Sequence, residues 1–138
     1  MARYAVRRLE DVPQIPPDEP DDSVWYPLQH YFALTAFGAN VYVATAANGD
    51  LIGTHDESGS SQEELYLVIA GEAAFTIDGE EVDAPAVTAV AVPDPTVVRG
   101  AVAKTPGTTV VAIGGAKKDQ FESSWQSKWF EHVPQVEG

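Results

Sequence analysis

The sequence predicts an all-β fold, a sandwich or barrel built as one domain over residues 1–138. Three observations predict it. From Phe37 onward apolar residues alternate with a period of two and are rich in Val, Ile, Thr and aromatics, which suit a pleated, half-buried surface. Turn signals recur at roughly 8–12 residues, too close together for the crossover helices of a parallel sheet. Asp78-Gly79 stands between two apolar runs, and both central residues of such a hairpin turn need positive φ.

Taken in order, "DVPQIPPDEPDD" (11–22) has four prolines among acids and reads as an extended connector. "VWYPLQHYFAL" (24–34) is aromatic, with one proline, and reads as a short strand or helical turn laying Trp25, Tyr26 and Phe32 on a core surface; His30 there is expected packed or exposed. "FGANVYVATA" is a strand ending at the "NGD" turn, Asn48 to Asp50. "EELYLVIAGEAAFTIDGEEVDAP" is strand, Gly71 turn, strand and the Asp78-Gly79 hairpin. "AVTAVAV", a Pro93-Asp94-Pro95 corner, "TVVRGAVA", the Pro106-Gly107 turn and "TTVVAIGG" follow, for six or more strands in all. In the tail Phe121, Trp125 and Trp129 recur at helical spacing, and Asp119 with Glu122 resembles a capping box. A helix is therefore expected over about residues 119–131, covering a barrel face or reaching a second subunit.

Composition narrows the function classes. The absence of cysteine removes disulfides, thiolate metal sites and cysteine nucleophiles. Eight Lys and Arg against 21 Asp and Glu give a formal charge of −13, a field that repels a phosphate backbone, so no nucleic-acid partner is expected. No apolar run approaches the roughly 20 residues of a membrane helix, and no signal-peptide core is seen. A cytoplasmic protein without a membrane partner is the expectation.

"GDLIGTHDESGSSQEELYLVIAGE" (49–72) resembles the first motif of the cupin superfamily, in which two histidines and a glutamate bind a metal inside a small jelly-roll barrel. Gly49 followed by five residues reaches His55, and Glu64 followed by six reaches Gly71. Between them the pattern departs. Glu57 stands where the second histidine belongs, and the loop "SGSSQE" is two or three residues longer than the motif. In the second motif Pro95 replaces the corner glycine, Val98 falls in the third histidine's slot and Val102 replaces the asparagine. The resemblance covers about residues 37–115 and is nearest to small single-domain bacterial cupins with "HDE" and "QEELYLV" segments and a tryptophan-rich tail. It implies a jelly-roll β-barrel (a double-stranded β-helix) with a degenerate metal centre.

Strand alternation assigns the remaining chemistry. If Glu64 points into the barrel, Tyr66 and Val68 follow it, and Leu65 and Leu67 point out; an apolar outer face needs a cover, so a homodimer is expected. His55, Glu64 and Tyr66 then have general acid–base capacity toward a small organic molecule such as a carbonyl or sugar-like substrate, or else form a polar cluster that closes the barrel mouth. Tyr42, Glu57 and Gln62 are further candidates for lining the pocket. Arg99 could clamp a substrate carboxylate; parity with Val98 turns it outward toward a surface ion pair, unless a bulge at the double-proline corner reverses it. The favoured reading is a small-molecule-binding cupin without a cofactor. The first alternative is a metal-dependent isomerase, oxygenase or lyase holding Mn²⁺, Fe²⁺ or Zn²⁺ on His55, Glu57 and Glu64. The second is a non-catalytic dimeric interaction module.

Overall fold

The structure is a computed structural model that describes residues 3–17, 19, 23–118, 121 and 130–137. Among them are nine strands. One sheet has the order β1-β2-β9-β4-β7, from β1 (Val24–Tyr26), β2 (Gly38–Val43), β4 (Gln62–Ala70), β7 (Thr88–Val92) and β9 (Thr109–Ala116). The other has the order β3-β8-β5-β6, from β3 (Asp50–His55), β5 (Glu72–Ile77), β6 (Glu80–Pro85) and β8 (Arg99–Ala103). Every pairing between these strands is antiparallel, as the close turn spacing predicts.

The two sheets bury their facing sides against each other. Val68, Ala73, Phe75, Ala84, Ala103 and Val110 are fully buried at the centre. Three of these six side chains are alanines. Between Val24 and Leu34 the chain forms both expected elements in succession: β1, then a one-turn helix α1 (Leu28–Tyr31). His30 is exposed. The proline-rich segment is held at two points, where Val12 is buried and where the Ile15 N–H donates to the Trp25 carbonyl at 2.8 Å. The expected C-terminal helix, with Trp125 and Trp129, lies outside the described residues save for Phe121, Phe130 and Glu131.

Two turns fix the register near the site. Asp78 and Gly79 have φ of 48° and 83° and join Ile77 to its partner Glu80, the two-residue hairpin that the sequence predicts. The Asp78 N–H donates to the Val98 carbonyl at 2.8 Å, and the Asp78 carboxylate accepts the Val98 N–H at 2.9 Å. At the double-proline corner the Asp94 carboxylate accepts the Thr96 N–H at 2.9 Å and its hydroxyl at 2.8 Å. Those bonds hold the Asp94 carboxyl below its usual range.

Clamped from both sides, the chain enters β8 with Val98 turned out and 42% exposed, and with Arg99 fully buried. This corrects the parity expectation: Arg99 does not face solvent in a surface ion pair. Arg99, Ala101 and Ala103 share the inward face, and the burial of both alanines sets the register. Residue counting across a corner that bends at two prolines misses this offset by one.

Candidate functional site

At one end of the sandwich two rows of residues face each other. On one sheet Gly38, Gly114, Glu64 and Val92 are in register. On the other His55, Arg99 and Ile77 are in register. Glycine at 114 has a packing reason, since a Cβ there would meet the Gln62 side-chain oxygen at 2.8 Å and Glu64 Cγ at 3.4 Å. The Glu64 carboxylate thus lies across a nearly bare strip of sheet and reaches the opposite row.

There it meets a fixed set of donors. Glu64 Oε1 accepts from the Tyr66 hydroxyl at 2.7 Å and from Arg99 Nη2 at 2.8 Å. Arg99 Nε donates to the Tyr66 oxygen at 3.2 Å, and Nη1 donates to the Val97 carbonyl at 2.7 Å. Tyr66 is buried and packs on Phe75 with ring centroids 5.5 Å apart. Burial alone raises the Glu64 carboxyl, but hydrogen bonds from Tyr66 and Arg99 and the charges of Arg99 and His55 outweigh it, so its pKa lies below the usual value. Burial drives the Tyr66 phenol upward, and the Arg99 guanidinium is raised by Tyr66 and Glu64 against the opposing effect of its own burial.

His55 closes the group from the solvent side. Its Nδ1 lies 2.6 Å from the Gly53 carbonyl, which accepts and so assigns a proton to that nitrogen. Nε2 then faces Glu57 Oε1 at 3.1 Å and Glu64 Oε1 at 3.4 Å. Glu57 is itself held by the Ser60 hydroxyl, which donates to Oε2 at 2.5 Å. Donor atoms of His55, Glu57 and Glu64 all lie within 4.8 Å of one another. The three residues read from the motif therefore come together despite the lengthened loop, which folds back as a turn with the Ser61 N–H bonded to the Glu57 carbonyl at 2.7 Å.

Tyr42 shares the inner face with Val110 and Val68, and its phenol is pushed up to about 12 by burial and by the carboxylates of Glu64 and Glu57. Gln62 is half-buried against Gly114 beside Glu64 and lines a groove of about 950 Å³. Leu65, Ile113, Phe37 and Phe121 line that groove together with Glu64 and Gly114.

Sequence reasoning missed two residues. Trp25 pairs with Tyr42 across β1 and β2, with ring centroids 6.0 Å apart, and Trp25 Nε1 donates to Asn40 Oδ1 at 2.8 Å. The i, i+2 spacing of Asn40 and Tyr42 was a signal for a shared face; nothing local announces that Trp25 joins them.

The pairing of two antiparallel sheets around a polar end decides the comparison with solved structures. The chain has the cupin fold. A cupin described as a sugar phosphate isomerase from Silicibacter pomeroyi superposes with a TM-score of 0.67 at 17% identity, over 82% of this chain and 76% of that one. A cupin protein from Bacteroides fragilis gives 0.65 at 19%, over 99% and 100%. The nucleoside dehydratase Pac13, from Streptomyces, gives 0.59 at 13%, over 82% and 83%. No protein-family model and no curated protein matches the sequence. Among the described residues no helix is long and apolar enough to cross a membrane.

The lowered Glu64 carboxyl makes the protein acid-sensitive. A carboxyl lowered on folding contributes stability above its ordinary value of 4.5, and that contribution is lost as pH falls through the lowered folded value. Thermal melts between acid and neutral pH are expected to show a steeper loss below that value in the wild type than in Glu64→Gln. Parallel curves would remove Glu64 as the cause.

Proposed function

We propose that this cupin binds a small organic molecule and moves a proton on it through His55, without a resident metal. The observation that carries the reading is the oriented imidazole. Its Nδ1 is spent on the Gly53 carbonyl, its Nε2 faces two carboxylates, and the side chain is 37% exposed, so a ligand can reach it. A ring held in this way takes a proton from a bound molecule and returns it, while Glu57 and Glu64 stand ready to accept the hydrogen bond of its protonated form. Arg99 and Tyr66 are buried behind Glu64 and act through it as positioning residues. Arg99 therefore serves as an internal counter-charge rather than as a clamp on substrate.

The metal that the cupin resemblance implies does not fit these residues. The carboxylate of Glu64, one of the three candidate ligands, already accepts hydrogen bonds from Tyr66 and Arg99 at Oε1. A dication there would sit beside a permanent guanidinium that is shielded from water, where like charges repel most strongly. The motif position for a further ligand holds Val98, turned outward. The Arg99 guanidinium pairs with Glu64 at 2.8 Å, so the chain itself supplies the positive charge a metal would bring to that carboxylate.

Structural neighbours named as a sugar phosphate isomerase and a nucleoside dehydratase support a small-molecule role for this pocket. The test is calorimetric titration of sugars, lactones, hydroxy ketones and nucleosides into the wild type and His55→Ala. At least one compound is expected to bind, and the variant to lose about tenfold or more in affinity, as when a central contact is truncated. If nothing binds, or the variant binds equally well, the reading fails.

The same reading takes the cupin as a homodimer that covers its outward apolar stripe. Leu65, Ile69 and Ile113 are each about two-fifths exposed on that side. Sedimentation is expected to give a dimer for the wild type and a monomer for Leu65→Glu; a monomeric wild type would reject the interface.

A further inference from the structure

The first described residues, Arg3 to Arg8, form an arm that belongs to no helix or strand, and all six are exposed. Tyr4 is 82% and Val6 76% exposed, although an aromatic and a β-branched residue two apart suit one face of a strand. No backbone hydrogen bond joins residues 3–7 to another described residue. In a protein of net charge −13 the arm also gathers three cations, Arg3, Arg7 and Arg8. Arg7 Nη1 reaches only the carbonyl of its neighbour Val6, at 2.7 Å, and Arg8 meets Glu10 in solvent at 3.4 Å. Such an exposed pair holds little energy.

The open side of β6 (Glu80–Pro85) is its complement. Among the described strands β6 pairs with β5 alone, so one side of its backbone is left unpaired at the edge of the sheet. Alternation sets Glu80, Val82 and the buried Ala84 in the inner row, and Glu81 and Asp83 in the outer row. Val82 is exposed although it stands opposite the buried Phe75. Asp83 already pairs with Lys104 at 2.6 Å, whereas Glu80 and Glu81 form no ion pair with a described residue.

Laid antiparallel on that side, the arm matches β6 in one register. Arg8 falls opposite Glu80, Arg7 opposite Glu81, Val6 opposite Val82 and Tyr4 opposite Ala84. Ala5 falls opposite Asp83, whose charge Lys104 already answers. A shift by one residue in either direction sets Val6 against an acid and leaves one arginine without its pair. The arm does not meet β6 of its own chain. It leads through the turn Leu9–Asp11 to Ile15, which bridges Trp25 of β1. β1 and β7 are opposite edges of one sheet, and Ala86 and Val87 alone link β7 to β6. In a dimer packed on the outward stripe with its two-fold axis along the strands, each β1 edge stands over the partner's β7 edge, beside β6.

We propose that the arm of each copy adds as an antiparallel strand to β6 of the other, closing the dimer by reciprocal exchange. This rests on the dimer proposed above and names a second contact that holds it. The acids of β6 keep other sheet edges away and admit a cationic strand.

The test exploits the absence of native cysteine from the full chain. Val6→Cys with Val82→Cys is expected to give a covalent dimer on oxidation, about tenfold more than Val6→Cys with Glu81→Cys, which points to the other face. In sedimentation, Arg7→Glu with Arg8→Glu is expected to weaken the dimer about tenfold, because like charges then face each other across the strands. Adding Glu80→Lys and Glu81→Lys to that variant is expected to restore it. Circular dichroism controls for folding. A dimeric wild type with no cross-link above the control, or with charge variants that associate as the wild type does, overturns the arm exchange and leaves the dimer standing. A disulfide formed within one chain overturns the exchange as well. A monomeric wild type overturns both.

Discussion

Arg99→Met is expected to destabilise the protein by about 3–5 kcal/mol, the usual range for removing one partner of a buried ion pair. Methionine fills much of the space, so the loss comes mainly from the groups left behind. Glu64 would keep a carboxylate in a site with little water, and Tyr66 would lose the donor that orients its hydroxyl. Arg99→Lys is expected to recover only part, because one ammonium cannot reach Tyr66, Glu64 and the Val97 carbonyl together as the planar fork does. The double change Arg99→Met with Glu64→Leu removes both charges and is expected to be more stable than Arg99→Met alone. Urea denaturation of the four proteins is the measurement, and a double variant no better than the single one would show that the two residues are not energetically coupled.

Gly71→Ala carries the second large effect. Gly71 ends β4 with φ of 73°, and a Cβ built on it would collide with the Thr108 hydroxyl and lie 2.7 Å from Thr108 Cα. Thr108 cannot move aside freely. Fully buried, it accepts the Glu72 N–H at 3.1 Å and donates toward the Glu72 and Thr105 carbonyls, tying the turn after β4 to the start of β9. Strain at positive φ and overpacking each cost about 1–3 kcal/mol, so about 3 kcal/mol or more is expected in total. Gly79 provides the control. Its φ is 83°, yet nothing lies within 4 Å of its Cβ position, so Gly79→Ala is expected to cost about 1 kcal/mol from backbone strain alone. Equal losses at both positions would mean that Thr108 contributes nothing.

How much of this was legible in the sequence varies with the distance over which each feature is decided. Asp78-Gly79 is a local signal, and its hairpin formed as read. Alternation along a single strand is local as well: Tyr66 and Val68 are buried, Glu64 reaches inward, and Leu65 is 40% exposed. His55, Glu57 and Glu64 meet because the longer loop between them turns back on itself, which residue spacing did not predict. Parity favoured the outer side for Arg99 and left the inner side open through a bulge, since parity carried through a corner with two prolines loses its reference. What restores that reference is the pairing of β8 with Ile77 and the burial of Ala101, contacts distant in sequence. Trp25 was read as a core residue and instead stands beside Tyr42, half in solvent, because a short edge strand brings it there. The aromatic stripe of the tail falls outside the described residues save for its first member, Phe121.

The account turns on Arg99 supplying the positive charge at Glu64 in place of a metal ion. Elemental analysis of protein purified without tag or chelator, and again after incubation with Mn²⁺, Fe²⁺ or Zn²⁺ and gel filtration, addresses this most directly. The account predicts metal far below one ion per chain, and the same value for His55→Ala. Near-stoichiometric metal in the wild type, lost in His55→Ala, would contradict it and make His55, Glu57 and Glu64 the ligands of a metal centre.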